Sequence, residues 1–255
     1  MGKAMTQTQE TSIEDSSSEI SVEPILPQVR LNDRVAIFGG TGSGKSILAQ
    51  VMFRTLPVKW WKLIIDPTDS IVEPTALTFY DPTEVPWDKA YNLRFVPDID
   101  ADLENQIDAV YLQAFYHGAV FIWLDEANEI TTAHHTAVNL RKVLLQGRKA
   151  FVGHMACTPR PADISKSIVT QSQYLITFGL VDFDDRYRMA RYIGMTLDEF
   201  DAEISQLGEY DYLFYDVAYR NLYRVPAVPA EVVAKILAPP PKDVEIVKPE
   251  GDSPV

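Results

Sequence analysis

The sequence predicts an α/β fold: a mainly parallel β-sheet flanked by helices, with a C-terminal β-hairpin. Three observations point to it. Short runs rich in β-branched and aromatic residues recur without polar alternation, the pattern of strands covered on both faces. Segments of helical period separate those runs, and strands alternating with helices build parallel sheets with right-handed crossovers. Late in the chain, two strand-like runs meet around a short turn. The 255 residues are 46% hydrophobic, enough for a sizeable core.

Taken in order, the strand runs are RVAIF (34–38), KLIID (62–66), LRFV (93–96), AVFIWLD (119–125), AFVGHMAC (150–157) and YLITFGL (174–180). Helices are expected over 44–55, 102–117, 133–146 and 196–206. In 102–117, Ile107, Val110, Tyr111 and Ala114 fall at i, i+3, i+4 and i+7; Ala133, Ala137, Leu140 and Leu144 keep a helical period up to a stop at Gly147. The helix at 196 opens with a capping box, Thr196 and Glu199, flanked by a Met195–Phe200 staple, and Gly208 would end it. DYLFYDV, AYRN and LYRV then form the hairpin. Residues 1–28 carry five acids against one lysine and read as a disordered acidic arm. Residues 239–255 read as a Pro-rich flexible tail, which leaves 29–238 for the folded domain.

Composition excludes several function classes. The formal charge of −13 rules out a protein that coats nucleic acid over its whole surface; any such contact must come from a local basic element. A single cysteine, Cys157, permits neither an intrachain disulfide nor a C-x-x-C zinc cluster, and fits a reducing, cytoplasmic setting. The longest strongly apolar run, Ala119 to Leu124, falls far short of the roughly 20 residues a membrane span needs, so no membrane insertion is expected.

Residues 39–46 read GGTGSGKS and satisfy G-x-x-x-x-G-K-[ST] between a strand run and a helical run. Backbone N–H groups of such a loop and the following helix N-terminus hold anionic phosphates. The expected nucleotide-binding set is Gly39, Gly40, Thr41, Gly42, Ser43, Gly44, Lys45, Ser46 and Ile47. Lys45 would reach the β- and γ-phosphates of ATP, and Ser46 would ligate Mg2+. The fold class is thereby narrowed to a P-loop NTPase of the ASCE/RecA-like kind.

AVFIWLDEAN sets Asp125 and Glu126 behind an apolar strand, a Walker B pattern. Asp125 would anchor Mg2+, and Glu126 would deprotonate the attacking water. The adjacent glutamate separates ATP hydrolases from kinases, which need no water base. A strand between the loop strand and this one, KLIID or LRFV, also fits the hydrolase layout. Asp66 reads either as a strand-end turn residue or as a site residue.

From 141 to 191, nine basic residues face four acidic ones. Two uses fit: an arginine finger reaching a neighbouring subunit's ATP, or contacts to a phosphodiester backbone.

The run LLQGRKAFVGHMACTPRPADISKSIVTQSQYLITFGLVDFDDRYRMARYIG resembles the FtsK/HerA superfamily of ring-forming nucleic-acid pumps, in which a Gly-Arg pair leads into a strand ending in a Thr-Gln-Arg-Pro-like motif. With the loop and the acidic pair, the resemblance covers about 30–226. It implies that Thr158 and Arg160 match the family's threonine and arginine, while the family's sensor glutamine falls on Pro159, which has no side-chain amide. It makes Arg148 the first choice for the trans-acting finger, with Arg141 and Arg160 behind it. A bare motor of this superfamily is most similar to viral genome-packaging ATPases. That similarity implies ATP and Mg2+, double-stranded DNA, a homo-oligomeric ring of five or six subunits, a capsid or portal partner, and a place in the host cytoplasm or virion. The other readings are an ATPase powering virion or protein extrusion or conjugative transfer, and a nucleotide-gated binding module.

His134 and His135, expected at a helix start, lack metal-ligand spacing. His117, His154, Trp60, Trp61 and the hairpin tyrosines read as packing or surface residues.

Overall fold

The computed structural model describes residues 28–240 and 247–249. All but one residue of the expected acidic arm, and most of the expected tail, lie outside them. Among the described residues no helix is long and apolar enough to cross a membrane.

The apolar runs become strands buried on both faces, as their lack of alternation requires. β1 (Arg34–Phe38) and β5 (Val120–Leu124) are buried at every position. The remaining parallel strands are β2 (Trp61–Ile65), β3 (Leu77–Phe79), β4 (Asn92–Phe95), β6 (Gly153–Thr158) and β7 (Tyr174–Thr177). The hairpin is β8 (Tyr212–Asp216) and β9 (Asn221–Val225). The sheet runs β3-β4-β2-β5-β6-β1-β7-β8-β9; β8 pairs antiparallel with β7 and β9. Neither KLIID nor LRFV therefore stands beside the loop strand. β6 is the strand inserted between β1 and β5, and the other two lie beyond β5.

The helices divide unequally between the two faces. α1 (Lys45–Thr55) and α7 (Ala230–Leu237) contact each other, and α1 packs with Val35, Ile37, Trp123 and Phe214 in one core cluster. The cluster on the other face draws on α2 (Leu103–His117), α3 (Val138–Gln146), α4 (Lys166–Gln171), α5 (Phe183–Ile193) and α6 (Leu197–Ile204). α2 buries the stripe its spacing predicts, Ile107, Val110, Tyr111 and Ala114, and Asp102 caps it by accepting from the Asn105 amide. α6 carries the expected capping box: Thr196 Oγ1 accepts from the Glu199 amide at 3.3 Å, and Glu199 accepts from the Thr196 amide at 2.8 Å. It stops at Ile204, short of Gly208.

Three expectations need correction. The helix expected over 133–146 begins only at Val138. Thr132 Oγ1 accepts from the amides of His134 and His135, and Thr131 bridges to Thr136, so a side chain captures the backbone before a helix can. Both histidines thus sit in a turn. The run from Ala150 opens as a turn with Phe151 at φ +55°, and the strand starts at Gly153. A Cβ there would strike Leu31 O and come within 2.7 Å of the Phe121 ring, so only glycine admits this close approach. β3 and α7 went unforeseen: β3 has three residues, and the valines of AEVVAKIL blur its helical signal.

His154 lies fully inside, 2.8 Å from the Tyr111 hydroxyl; burial, with Arg34 nearby, pushes it down to about 3 and keeps the imidazole neutral. Asp66 is a strand-end anchor: it accepts from the Ser70 and Ile71 amides and pairs with Arg94 at 2.6 Å.

Candidate active site

In parallel sheets, ligand sites form where loops leave the carboxyl ends of the strands. β1, β5 and β6 run parallel and in register, so residues 39–46, Asp125–Glu126 and Thr158 emerge at one edge. The loop turns sharply into α1 through Gly42 and Gly44, at φ +80° and +99°, a region open to glycine without steric cost. Gly39 is required for space, since a Cβ would lie 2.6 Å from Ser43 Oγ and 2.7 Å from Phe178 Cβ.

Lys45 is buried and folds back over the loop, with Nζ donating to Gly40 O at 3.4 Å. Ser46, one residue on, turns its hydroxyl toward β5 and meets Asp125 Oδ2 at 3.5 Å. The loop and the acidic strand tip are thus brought into one site. Thr41 and Ile47 are exposed on it.

Asp125 is 2% exposed. Burial, Glu126 and Asp66 push its carboxyl up to about 6, against an ordinary 3.8. Its Oδ1 has no hydrogen-bond partner among the described residues, and neither has the buried Ser43 hydroxyl. An under-compensated carboxylate facing a serine hydroxyl, beside a loop with a lysine ammonium, fits a hydrated divalent cation together with phosphate oxygens. Among the described residues no cluster of three or more His, Cys, Asp or Glu side chains could hold a metal ion.

Glu126 follows in the left-handed region, φ +44°, a conformation costing a non-glycine residue about 1 kcal/mol. Burial raises its pKa, with Lys45 opposing and Glu129 adding. Thr158 is fully buried at the end of β6; its hydroxyl donates to Asn128 Oδ1 at 3.2 Å and accepts from the Arg160 amide at 3.3 Å. Asn128 was missed in the sequence, although it stands in the DEAN run. The missing signal was the pairing of β5 with β6, which brings Asn128 to Thr158.

The candidate arginines do not join this group. The Arg160 guanidinium contacts Asp185 at 2.9 Å, Asp182 at 3.5 Å and Asp163 at 3.7 Å. Arg148 is exposed in the turn before β6, at the amino end of the strands, where burial lowers the Arg34 pKa and the Arg148 charge adds to it. β1 separates it from its own loop by about 15 Å, at roughly 3.3 Å per residue. Arg141 is exposed on α3.

No protein-family model matches this sequence, and no curated protein does. Solved structures do. The genome packaging NTPase B204 from Sulfolobus turreted icosahedral virus 2, in complex with AMP, is similar over 79% of this chain and 100% of its own, at 20% identity and a TM-score of 0.64. Its AMPPCP complex aligns at 21% identity, over 78% of this chain and 100% of its own, with a TM-score of 0.65. VirB4 of Thermoanaerobacter pseudethanolicus is similar over 79% of this chain and 91% of its own, at 11% identity and 0.57. Sheet order, loop geometry and these likenesses together establish that the chain is built on the P-loop NTPase fold.

Proposed function

We propose that residues 29–238 form an ATP-hydrolysing motor that moves double-stranded DNA as a homo-oligomeric ring, packaging a viral genome. The carrying observation is the convergence of Lys45, Ser46, Asp125 and Glu126 at one sheet edge, with Ser46 and Asp125 3.5 Å apart. The loop amides from Gly40 to Ser46 and the Lys45 ammonium bind the triphosphate. Ser46 and Asp125 would hold Mg2+, which would supply charge neutralisation to the triphosphate. Glu126 takes a proton from water as the water oxygen bonds to the γ-phosphorus and ADP leaves. Burial raises its pKa, which makes it a stronger base than an ordinary carboxylate. With Pro159 in the place of the family's sensor glutamine, sensing of the γ-phosphate would fall to Thr158 or another group, and the Thr158–Asn128 hydrogen bond ties Thr158 to the run that carries the acidic pair.

Arg148 lies too far from its own loop to act there, which supports its acting on the next subunit's nucleotide. Arg160, committed to three carboxylates, is the weaker finger. The basic stretch within an acidic chain supports a phosphodiester partner, and the fold likeness to a genome packaging NTPase supports the viral role; a capsid or portal contact and residence in the host cytoplasm or virion belong to the same proposal.

The test is steady-state ATP turnover of the full chain at low salt, with and without duplex DNA, alongside the oligomer mass. DNA is expected to stimulate turnover, and Glu126→Gln to keep ATP binding while losing about 1,000-fold in rate, of the order seen when a single catalytic group is removed. DNA without effect on rate or binding would instead favour extrusion or conjugative transfer. The net charge of −13 and the fold likeness to VirB4 suit that reading.

A further inference from the structure

α3 buries Leu140, Val143 and Leu144 and leaves its other side to solvent. Val138, Arg141 and Leu145 are exposed there, at i, i+3 and i+7, which helical period sets on one face. The turn that follows adds Arg148, Lys149 and Phe151, all exposed. The result is a basic face set with apolar side chains, running down to the amino end of the strands. Three observations bear on what covers it.

First, the fold does not answer its charge. Among the described residues no carboxylate pairs with Arg141, Arg148 or Lys149. Lys142, beside them, lies 4.3 Å over the Tyr116 ring rather than against an acid. Asp108 on α2 is spent on the Asn139 and Leu140 amides. Against Gly147, Arg34 is buried, donates to Val143 O at 3.1 Å and leaves its Nε without a partner among the described residues. Burial and then the Arg148 charge lower its pKa to about 10, and Asp33 opposes them less. Second, Val138, Leu145 and Phe151 are each at least half exposed. A phosphodiester backbone would answer the cations and leave these three uncovered. Third, the chain enters the fold beside this face. Leu31 O packs against Gly153, two residues past Phe151, and Asp33 O accepts from the His154 amide at 3.0 Å. The segment just before, residues 13–26, reads IEDSSSEISVEPIL. It holds four acids, no base and five aliphatic residues, against four cations and three apolar side chains on the face. Nine residues of chain span up to about 30 Å, and α3 is only about 14 Å long.

We propose that residues 13–26 dock on the α3 face of their own chain, with carboxylates on Arg141, Arg148 and Lys149 and aliphatic side chains on Val138, Leu145 and Phe151. Tethering gives such a segment an effective concentration on the order of 1 mM, so a contact of about that strength is roughly half occupied. On the motor reading above, the docked segment covers Arg148 and withholds it from the next subunit's nucleotide. The docking itself needs no nucleotide and is tested apart from that reading.

Cys157 is buried, so a nitroxide attached through Ser18→Cys reports on the segment alone. In the full chain at low salt, amide signals of residues 138–151 should lose about half their intensity, the docked share, while those of the acidic helix α6 keep theirs. Glu14→Gln, Asp15→Asn, Glu19→Gln and Glu23→Gln together keep the tether and remove its charge. They should abolish the loss, and so should salt at about 1 M, where the screening length is about 3 Å. Arg141→Gln with Lys149→Gln should abolish it from the other side; unaltered melting temperatures verify the fold of each chain. In the chain with the neutral segment, low-salt ATP turnover should rise about twofold, as the half-occupied segment frees Arg148. Signal loss that survives both the neutral segment and high salt reports the tether alone and overturns the proposal. Loss seen only when labelled chains are mixed with unlabelled ones places the segment on a neighbouring copy and also overturns it. No loss, with duplex DNA shifting 138–151 instead, gives the face to a phosphodiester and overturns it too. Unchanged turnover in the chain with the neutral segment overturns the masking of Arg148. Absence of turnover in every chain overturns the motor reading and leaves the docking intact.

Discussion

At the scale of single residues, Asp125 shows a site in tension with its own fold. Its carboxyl is buried against Glu126 and Asp66 and pushed up to about 6. The folded state therefore holds a proton that the unfolded chain releases near 3.8, and this contribution is present at low pH and lost as pH rises through about 6. The gap corresponds to roughly 2–3 kcal/mol at neutral pH. Asp125→Asn should accordingly raise the unfolding free energy of the nucleotide-free chain by roughly 1–3 kcal/mol at pH 7.5, with the gain vanishing below pH 4. Urea unfolding at the two pH values measures it. The same variant should lose magnesium-dependent nucleotide binding; a variant neither more stable nor weaker in binding would remove Asp125 from the cation site. The glycine-rich loop and the Asp125–Glu126 pair were legible as motifs because their residues are neighbours in sequence. Asn128 was not, because what distinguishes it is a cross-strand contact, which does not exist before the sheet forms.

At the scale of elements, the α1–α7 pair shows how one buried ion pair ties down the end of a helix. Arg54, in the last turn of α1, binds Glu73 through Nε at 2.9 Å and donates to the end of α7. Burial alone would raise the Glu73 carboxyl, but hydrogen bonds from Arg54, Thr75 and Gln50 outweigh it and hold it below the usual range. Arg54→Ala strands a fully buried carboxylate and should cost about 3–5 kcal/mol. Differential scanning calorimetry should show a drop on the order of 10 °C, and amide exchange should rise first in 230–237. Glu73→Leu added to Arg54→Met should recover most of that loss, since a well-packed apolar pair replaces an ion pair at little cost. A double variant as unstable as Arg54→Ala would place the effect elsewhere. α2 and α6 were legible down to their caps, because a capping box and a buried stripe are local patterns. The helix at 138 was misjudged at its start because Thr132 competes locally for backbone amides.

At the scale of the whole molecule, the sheet separates the loop from Arg148. The loop leaves the carboxyl end of β1, while Arg148 precedes β6 at the amino end of the same two neighbours. Arg148→Ala should therefore lose turnover alone and regain part of it when mixed with Glu126→Gln subunits, each supplying what the other lacks. Steady-state rates across mixing ratios measure this, and no recovery at any ratio would count against action between subunits. Arg160→Ala should behave differently: it removes the partner of Asp185, a buried carboxylate, and should lower stability as well as rate.

The sequence by itself determined the α/β class, eight of the nine strands among the described residues, and the glycine-rich and acidic motifs, because each is written in contiguous residues whose pattern states its own geometry. Only the tertiary structure decided which strand stands between the two motifs, that Thr158 meets Asn128, and that Arg148 lies remote from the loop. These are consequences of strand order, and strand order depends on how the runs pack across one another rather than on what any run contains.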